Sequence, residues 1–126
     1  IEGLKLKGTF HYNEGFYYWR HLGDRVLLGG ARNIAMGEEK TSDLQVSEVI
    51  QQELEFFLMN HILKGYPLPV HDLIEHRWAG LMGITEDKQP QVRQIDKGVW
   101  SAVSCNGMGV ALTPIVAAQL ATSVLL

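Results

Sequence analysis

The chain has 126 residues, enough for one domain of ordinary size. Its 46% apolar and 20% charged residues lie near the globular average, which excludes a disordered, collagen-like or disulfide-knot chain. A net charge of −3 without a basic patch argues against nucleic acid as a partner, and a single cysteine, Cys105, excludes an intrachain disulfide and a cysteine-rich zinc site. The chain opens at Ile1 without a signal-peptide pattern and stops on the apolar run Ser123-Val124-Leu125-Leu126, so it reads as a piece of something larger with a cytoplasmic location. Every Lys, Arg, Asp and Glu lies at or before Lys97. The charge-free remainder holds Gly109, Thr113, Pro114, Gln119, Thr122 and Ser123, which suits a buried helix better than a membrane span.

In chain order, residues 15–21 are aromatic-rich and strand-like, and Gly23-Asp24 supplies a turn into Val26-Leu27-Leu28, so a hairpin is expected. A loop covers residues 34–41. Ser42 with Gln45 three residues on matches a capping box. Val46, Val49, Ile50, Leu54, Phe57, Leu58 and Ile62 then recur at helical spacing, so one long helix is expected over residues 42–64, with Glu48, Glu53 and Glu55 on a solvated face. Residues 73–85 form a long strand candidate interrupted by Gly80 and Gly83. Residues 92–95 and 99–103 make a second hairpin around the three-residue loop Asp96-Lys97-Gly98. The last helix starts near Val110, with Pro114 in its first turn. The fold class is therefore α+β, a mainly antiparallel sheet with one long helix and a C-terminal helix.

Few residues offer chemistry on their own. His71 and His76 are five apart, which suits neither one strand face nor one helix face, so no metal site is expected. Cys105 beside Asn106 is a weak nucleophile candidate, and Trp19, Trp78 and Trp100 fit a core better than a binding platform. The loop Asn106-Gly107-Met108-Gly109 is more informative. Two glycines let the backbone turn sharply just before a helix N-terminus, and such a place holds an anion or an electron-rich carbonyl through N–H groups alone.

The order Phe16-Tyr17-Tyr18-Trp19-Arg20, Val26-Leu27-Leu28-Gly29-Gly30, Arg77-Trp78-Ala79-Gly80-Leu81-Met82-Gly83-Ile84-Thr85-x-Asp87-x-x-Pro90 and Asn106-Gly107-Met108-Gly109-Val110-Ala111-Leu112-Thr113-Pro114 resembles the C-terminal half of the D-amino-acid oxidase-like FAD-dependent oxidoreductases. Glycine oxidase, sarcosine oxidase and D-amino-acid dehydrogenase are members. The resemblance implies a substrate-binding domain over about residues 1–96 and returning FAD-domain elements over about 97–126. The Gly-x-Gly-x-x-Gly motif of the N-terminal Rossmann part, which cradles the FAD pyrophosphate, is absent from this sequence. It implies that Gly107, Met108, Gly109 and Val110 present N–H groups to the flavin pyrimidine edge, and that Gly80 passes close to the isoalloxazine. Tyr17 and Trp19, or Tyr18 and Arg20, would face the substrate according to register. The reaction implied is oxidation of a C–N bond of a small amine or amino acid, the partners being that substrate and the rest of the polypeptide. The alternative is a binding or structural module that kept the fold without catalysis.

Several positions depart from the family pattern. Gly80 stands where sarcosine oxidases carry the cysteine that links FAD, so non-covalent FAD is implied. Met82 and Ala111 stand where relatives place a carboxylate-binding Arg or Lys, and Leu27 stands where some oxidases use a Lys to activate oxygen. Among Arg20, Arg32 and Arg77, Arg20 is then the chosen carboxylate partner, and an electron acceptor other than oxygen is favoured.

Overall fold

The computed structural model describes residues 6–125, and the expected α+β class with antiparallel sheets is what it shows. The chain packs as two compact units that part between Ala79 and Gly80. In the first unit β1 (Thr9–Tyr12), β2 (Tyr17–Leu22) and β3 (Arg25–Gly30) form an antiparallel sheet in that order. The β2–β3 turn is the two-residue Gly23-Asp24 loop, with positive φ at Gly23 alone, the pattern of a II′ hairpin whose twist matches the strands. β1 is not apparent from the sequence pattern. Four residues carry little alternation, and this strand exists through its partner, where Phe10 pairs with Trp19 and their rings stack at 5.4 Å.

The long helix is shorter than expected at both ends. α1 runs Glu48–Phe57 and is capped by Ser47, whose hydroxyl accepts from the Ile50 N–H, not by Ser42. Upstream, the Thr41 hydroxyl accepts the Asp43 N–H, a local bond that competes with helix formation. A single π-turn, Leu58–Ile62, follows, closed by the Leu63 N–H on the Leu58 carbonyl. There Asn60 turns its side-chain amide onto the Phe56 carbonyl, the acceptor its own N–H would use in an α-helix. Phe57 is the keystone of the unit, buried with Tyr17 and Ala31, while Phe16, Trp19, Leu28, Ile50, Leu54 and Ile62 pack around them. Val46 and Val49, expected on the apolar face, are exposed.

The strand expected over residues 73–85 is absent. α2 (Val70–Leu73) is one helical turn, and residues 74–84 are irregular and largely exposed. An extended segment becomes a strand only when its N–H and C=O groups find a ladder, and glycines at 80 and 83 weaken any such pairing.

In the second unit β4 (Gln91–Asp96) and β5 (Val99–Val103) form a hairpin on which α3 (Gly109–Leu125) lies. Asp96 pairs with Val99, so the loop is Lys97-Gly98 rather than three residues, and the irregularity moves to a bulge between Gln94 and Asp96. Gly98 has the left-handed φ expected of it. α3 begins at Gly109, because the Met108 carbonyl accepts both the Ala111 and Leu112 N–H groups. Pro114 therefore falls in the second turn, not the first. Among the described residues no helix is long and apolar enough to cross a membrane.

Candidate functional site

The second unit carries the glycine-rich loop. Asn106 holds it in place. Its side-chain oxygen accepts the Thr85 N–H at 2.8 Å, its side-chain amide donates to the Ser104 carbonyl at 2.7 Å, and its own N–H donates to the Gly83 carbonyl. Thr85 in turn donates its hydroxyl to the Gln89 carbonyl, and Asp87 accepts the Gln89 N–H. That N–H, first among the causes, holds the Asp87 carboxyl below its usual range. The Thr85-x-Asp87-x-x-Pro90 motif is thus a rigid corner against which the 104–107 loop is tied. Asn106 and Thr85 are positioning residues whose role the sequence pattern alone does not reveal.

Four of the expected cofactor-binding residues, Gly107, Met108, Gly109 and Val110, follow directly on this frame, and no contact among the described residues joins Gly80 to them. Gly107 has φ +82°, and a Cβ there would lie 2.8 Å from the Met82 sulfur, so Met82 packs directly on the loop. The N–H groups of Gly107, Gly109 and Val110 have no acceptor among the described residues. Met108 differs from the other three, since its N–H is spent on the Cys105 carbonyl. The Val110 side chain is fully exposed, and Gly80 faces open space. No charged side chain occurs in the loop or α3. Three free donors at the positive end of a helix, with no carboxylate in the loop, suit an acceptor-rich ring edge that gains negative charge.

The first unit carries the other expected residues, and β2 sorts them onto two faces. Tyr17 and Trp19 point at α1, where the Tyr17 ring stacks on Phe57 at 4.4 Å and Trp19 tilts against it at 5.5 Å. The Tyr17 hydroxyl donates to Glu53 at 2.7 Å, and burial first, then this carboxylate, pushes its pKa up to about 12. Tyr18 and Arg20 lie on the opposite face and are exposed. Glu53 and Glu55, expected on a solvated face, are engaged, Glu53 with Tyr17 and Glu55 with Arg77 at 2.9 Å. The Arg77 guanidinium is the main reason that the Glu55 carboxyl titrates below its usual range. Cys105 is half-buried, and no group of three or more His, Cys, Asp or Glu among the described residues is placed to hold a metal.

A family model described as FAD dependent oxidoreductase (DAO) matches residues 3–123. The chain belongs to this FAD-dependent oxidoreductase family. No curated protein and no solved structure is significantly similar to the chain. Membership makes FAD the cofactor of the family to which the donor set of Gly107, Gly109 and Val110 must be compared, and the residues present fit it: neutral N–H donors, a glycine with no Cβ to obstruct, and a helix N-terminus behind them.

Proposed function

We propose that this chain forms the substrate-binding and flavin-edge part of an enzyme that oxidises a C–N bond of an amine or amino acid. The observation that carries the reading is the set of free N–H groups at Gly107, Gly109 and Val110, locked by Asn106 beside Met82 and Gly83. Bound FAD supplies a two-electron, hydride-accepting centre. These donors would hold its pyrimidine edge and favour the charge it gains. Gly80 offers open space and no nucleophile, so the flavin is held without a covalent bond. The substrate loses a hydride from the carbon bearing nitrogen and a proton from the nitrogen. The resulting imine takes up water and releases a carbonyl compound and an amine or ammonia. Residues 1–96 or so would bind substrate, residues 97–126 would return to the flavin domain, and the pyrophosphate cradle would lie in the rest of the polypeptide. Met82 would wall the substrate site. Leu27, apolar where an oxygen-activating cation would stand, favours an acceptor other than oxygen.

The test is the full-length protein containing this sequence, assayed with a dye acceptor and with oxygen on glycine, sarcosine, D-amino acids and simple amines. The expected protein is yellow, releases FAD on denaturation, and turns over at least one of these faster with the dye. Flavin retained on the denatured chain contradicts the reading of Gly80. A flavoprotein that oxidises none of them contradicts the C–N assignment.

A further inference from the structure

We propose that the Asn106–Gly107 peptide bond is a self-modification site, at which the chain converts its own asparagine to aspartate or isoaspartate and so opens the glycine loop with age. The step needs only water. The Gly107 nitrogen gives up its proton and attacks the Asn106 side-chain carbon. That N–C bond forms, the Cγ–Nδ2 bond breaks, and ammonia leaves with the proton. Water then opens the cyclic imide on either side. One route leaves aspartate in the original chain, and the other leaves isoaspartate in a chain one carbon longer. Nothing is oxidised or reduced.

Three observations single out this bond. Asn13, Asn33 and Asn60 precede Glu14, Ile34 and His61, whose side chains crowd the attacking nitrogen, and only Asn106 precedes a glycine. The nucleophile is untied, since Gly107 is exposed to water and its N–H has no acceptor among the described residues. The electrophile is fixed and polarised. The Asn106 Oδ1 accepts the Thr85 N–H at 2.8 Å, a donor that also supports the charge this oxygen gains as the ring closes. Nδ2 faces the Ser104 carbonyl at 2.7 Å and the Thr85 hydroxyl oxygen at 3.2 Å, so the leaving nitrogen already lies among acceptors.

The same partners determine what the modification does. A carboxylate has no proton for the Ser104 carbonyl, so two bare oxygens would meet where the 2.7 Å bond now stands, and the loop must open. The new charge is also the first in the chain after Lys97. It enters the loop of Gly107, Gly109 and Val110, where it competes for the N–H groups proposed above to meet the flavin edge. This last consequence rests on the proposed function, whereas the chemistry at Asn106 does not.

The test incubates the full-length protein at neutral and at mildly alkaline pH. Ammonia release is followed together with the mass and isoaspartate content of the peptide that contains Asn106, and a synthetic peptide of residues 102–110 serves as the unfolded reference. Conversion is expected at Asn106 and not at Asn13, Asn33 or Asn60, and it should be faster at the higher pH. Its rate should lie within about tenfold of the rate in the peptide, because opening a surface loop costs little. Asn106→Gln, whose longer side chain closes a larger ring, should release no ammonia from this position. Asn106→Asp should show from the start the faster hydrogen exchange in residues 104–110 that the unaltered protein acquires with age. Where FAD is bound, aged protein should have a lower midpoint potential than fresh protein. Asn106 left intact while the peptide is fully converted overturns the proposal, as does conversion spread evenly over the asparagines, or converted protein whose loop exchanges as before. If the protein holds no FAD, the functional reading fails, and the mass measurement still decides the modification.

Discussion

The two units are held together by different means. The first is built on an aromatic core in which Phe57 meets Tyr17, Trp19, Tyr12 and His61 from the sheet and its own helix. The second buries only Val116 among its described hydrophobic residues, and its order rests on the hydrogen bonds that Asn106 and Thr85 exchange. α3 carries no charge, yet Ile115, Val124 and Leu125 are exposed. Packing places a strand and decides which face it shows. Directional polar bonds place a loop to within the tolerance that N–H donors need. The unit proposed to recognise substrate uses the first device, and the unit proposed to meet the flavin uses the second.

The comparison predicts graded losses, measurable in the full-length protein by denaturant unfolding with hydrogen exchange to localise each effect. Phe57→Ala removes the residue that most of the core rings touch and should cost about 3–5 kcal/mol, releasing β2 and α1 together. Tyr17→Phe keeps the ring and deletes the bond to Glu53, for about 1–2 kcal/mol. Its pH signature is specific. The phenol pKa is raised from about 10 to about 12, so its contribution is complete below pH 10 and disappears as pH rises through about 12. The variant should lack that alkaline loss. Asn106→Ala should cost about 1 kcal/mol, with faster exchange in the 104–110 loop and no change around Phe57. Loosening of both units by this change would break the comparison. Arg77→Met should cost least, about 0.5 kcal/mol, because the pair with Glu55 is partly solvated. The Glu55 pKa is lowered, so this contribution is present above the ordinary glutamate pKa and fades as pH falls through the depressed one.

Both hairpins were legible in the sequence because Gly23-Asp24 and Lys97-Gly98 carry their own conformational preference. The start of α1 was not, since Ser42 with Gln45 has the better capping pattern, and only the surrounding chain selects Ser47 instead. The face of β2 could not be read either. Tyr17, Tyr18 and Trp19 are consecutive aromatics without alternation, and it is Phe57, forty residues on from Tyr17 in the sequence, that draws Tyr17 and Trp19 inward. The glycine loop was visible as a pattern, whereas the role of Asn106 and the spent N–H of Met108 depend on contacts with residues 83–85 and 105.

The proposed function places the start of α3 at the flavin, and Gly109→Pro in the full-length protein tests this directly. Proline is well suited to the first position of a helix, and a Cβ at Gly109 meets nothing closer than Cys105 at 3.8 Å, so the change removes one N–H and leaves the fold in place. The measurement is the two-electron midpoint potential of the bound FAD. Loss of a hydrogen bond to a group that gains charge, worth about 1.5–3 kcal/mol, should lower the potential by about 30–60 mV. A potential unchanged in a variant with native circular dichroism and full FAD content would contradict the placement of this loop at the flavin.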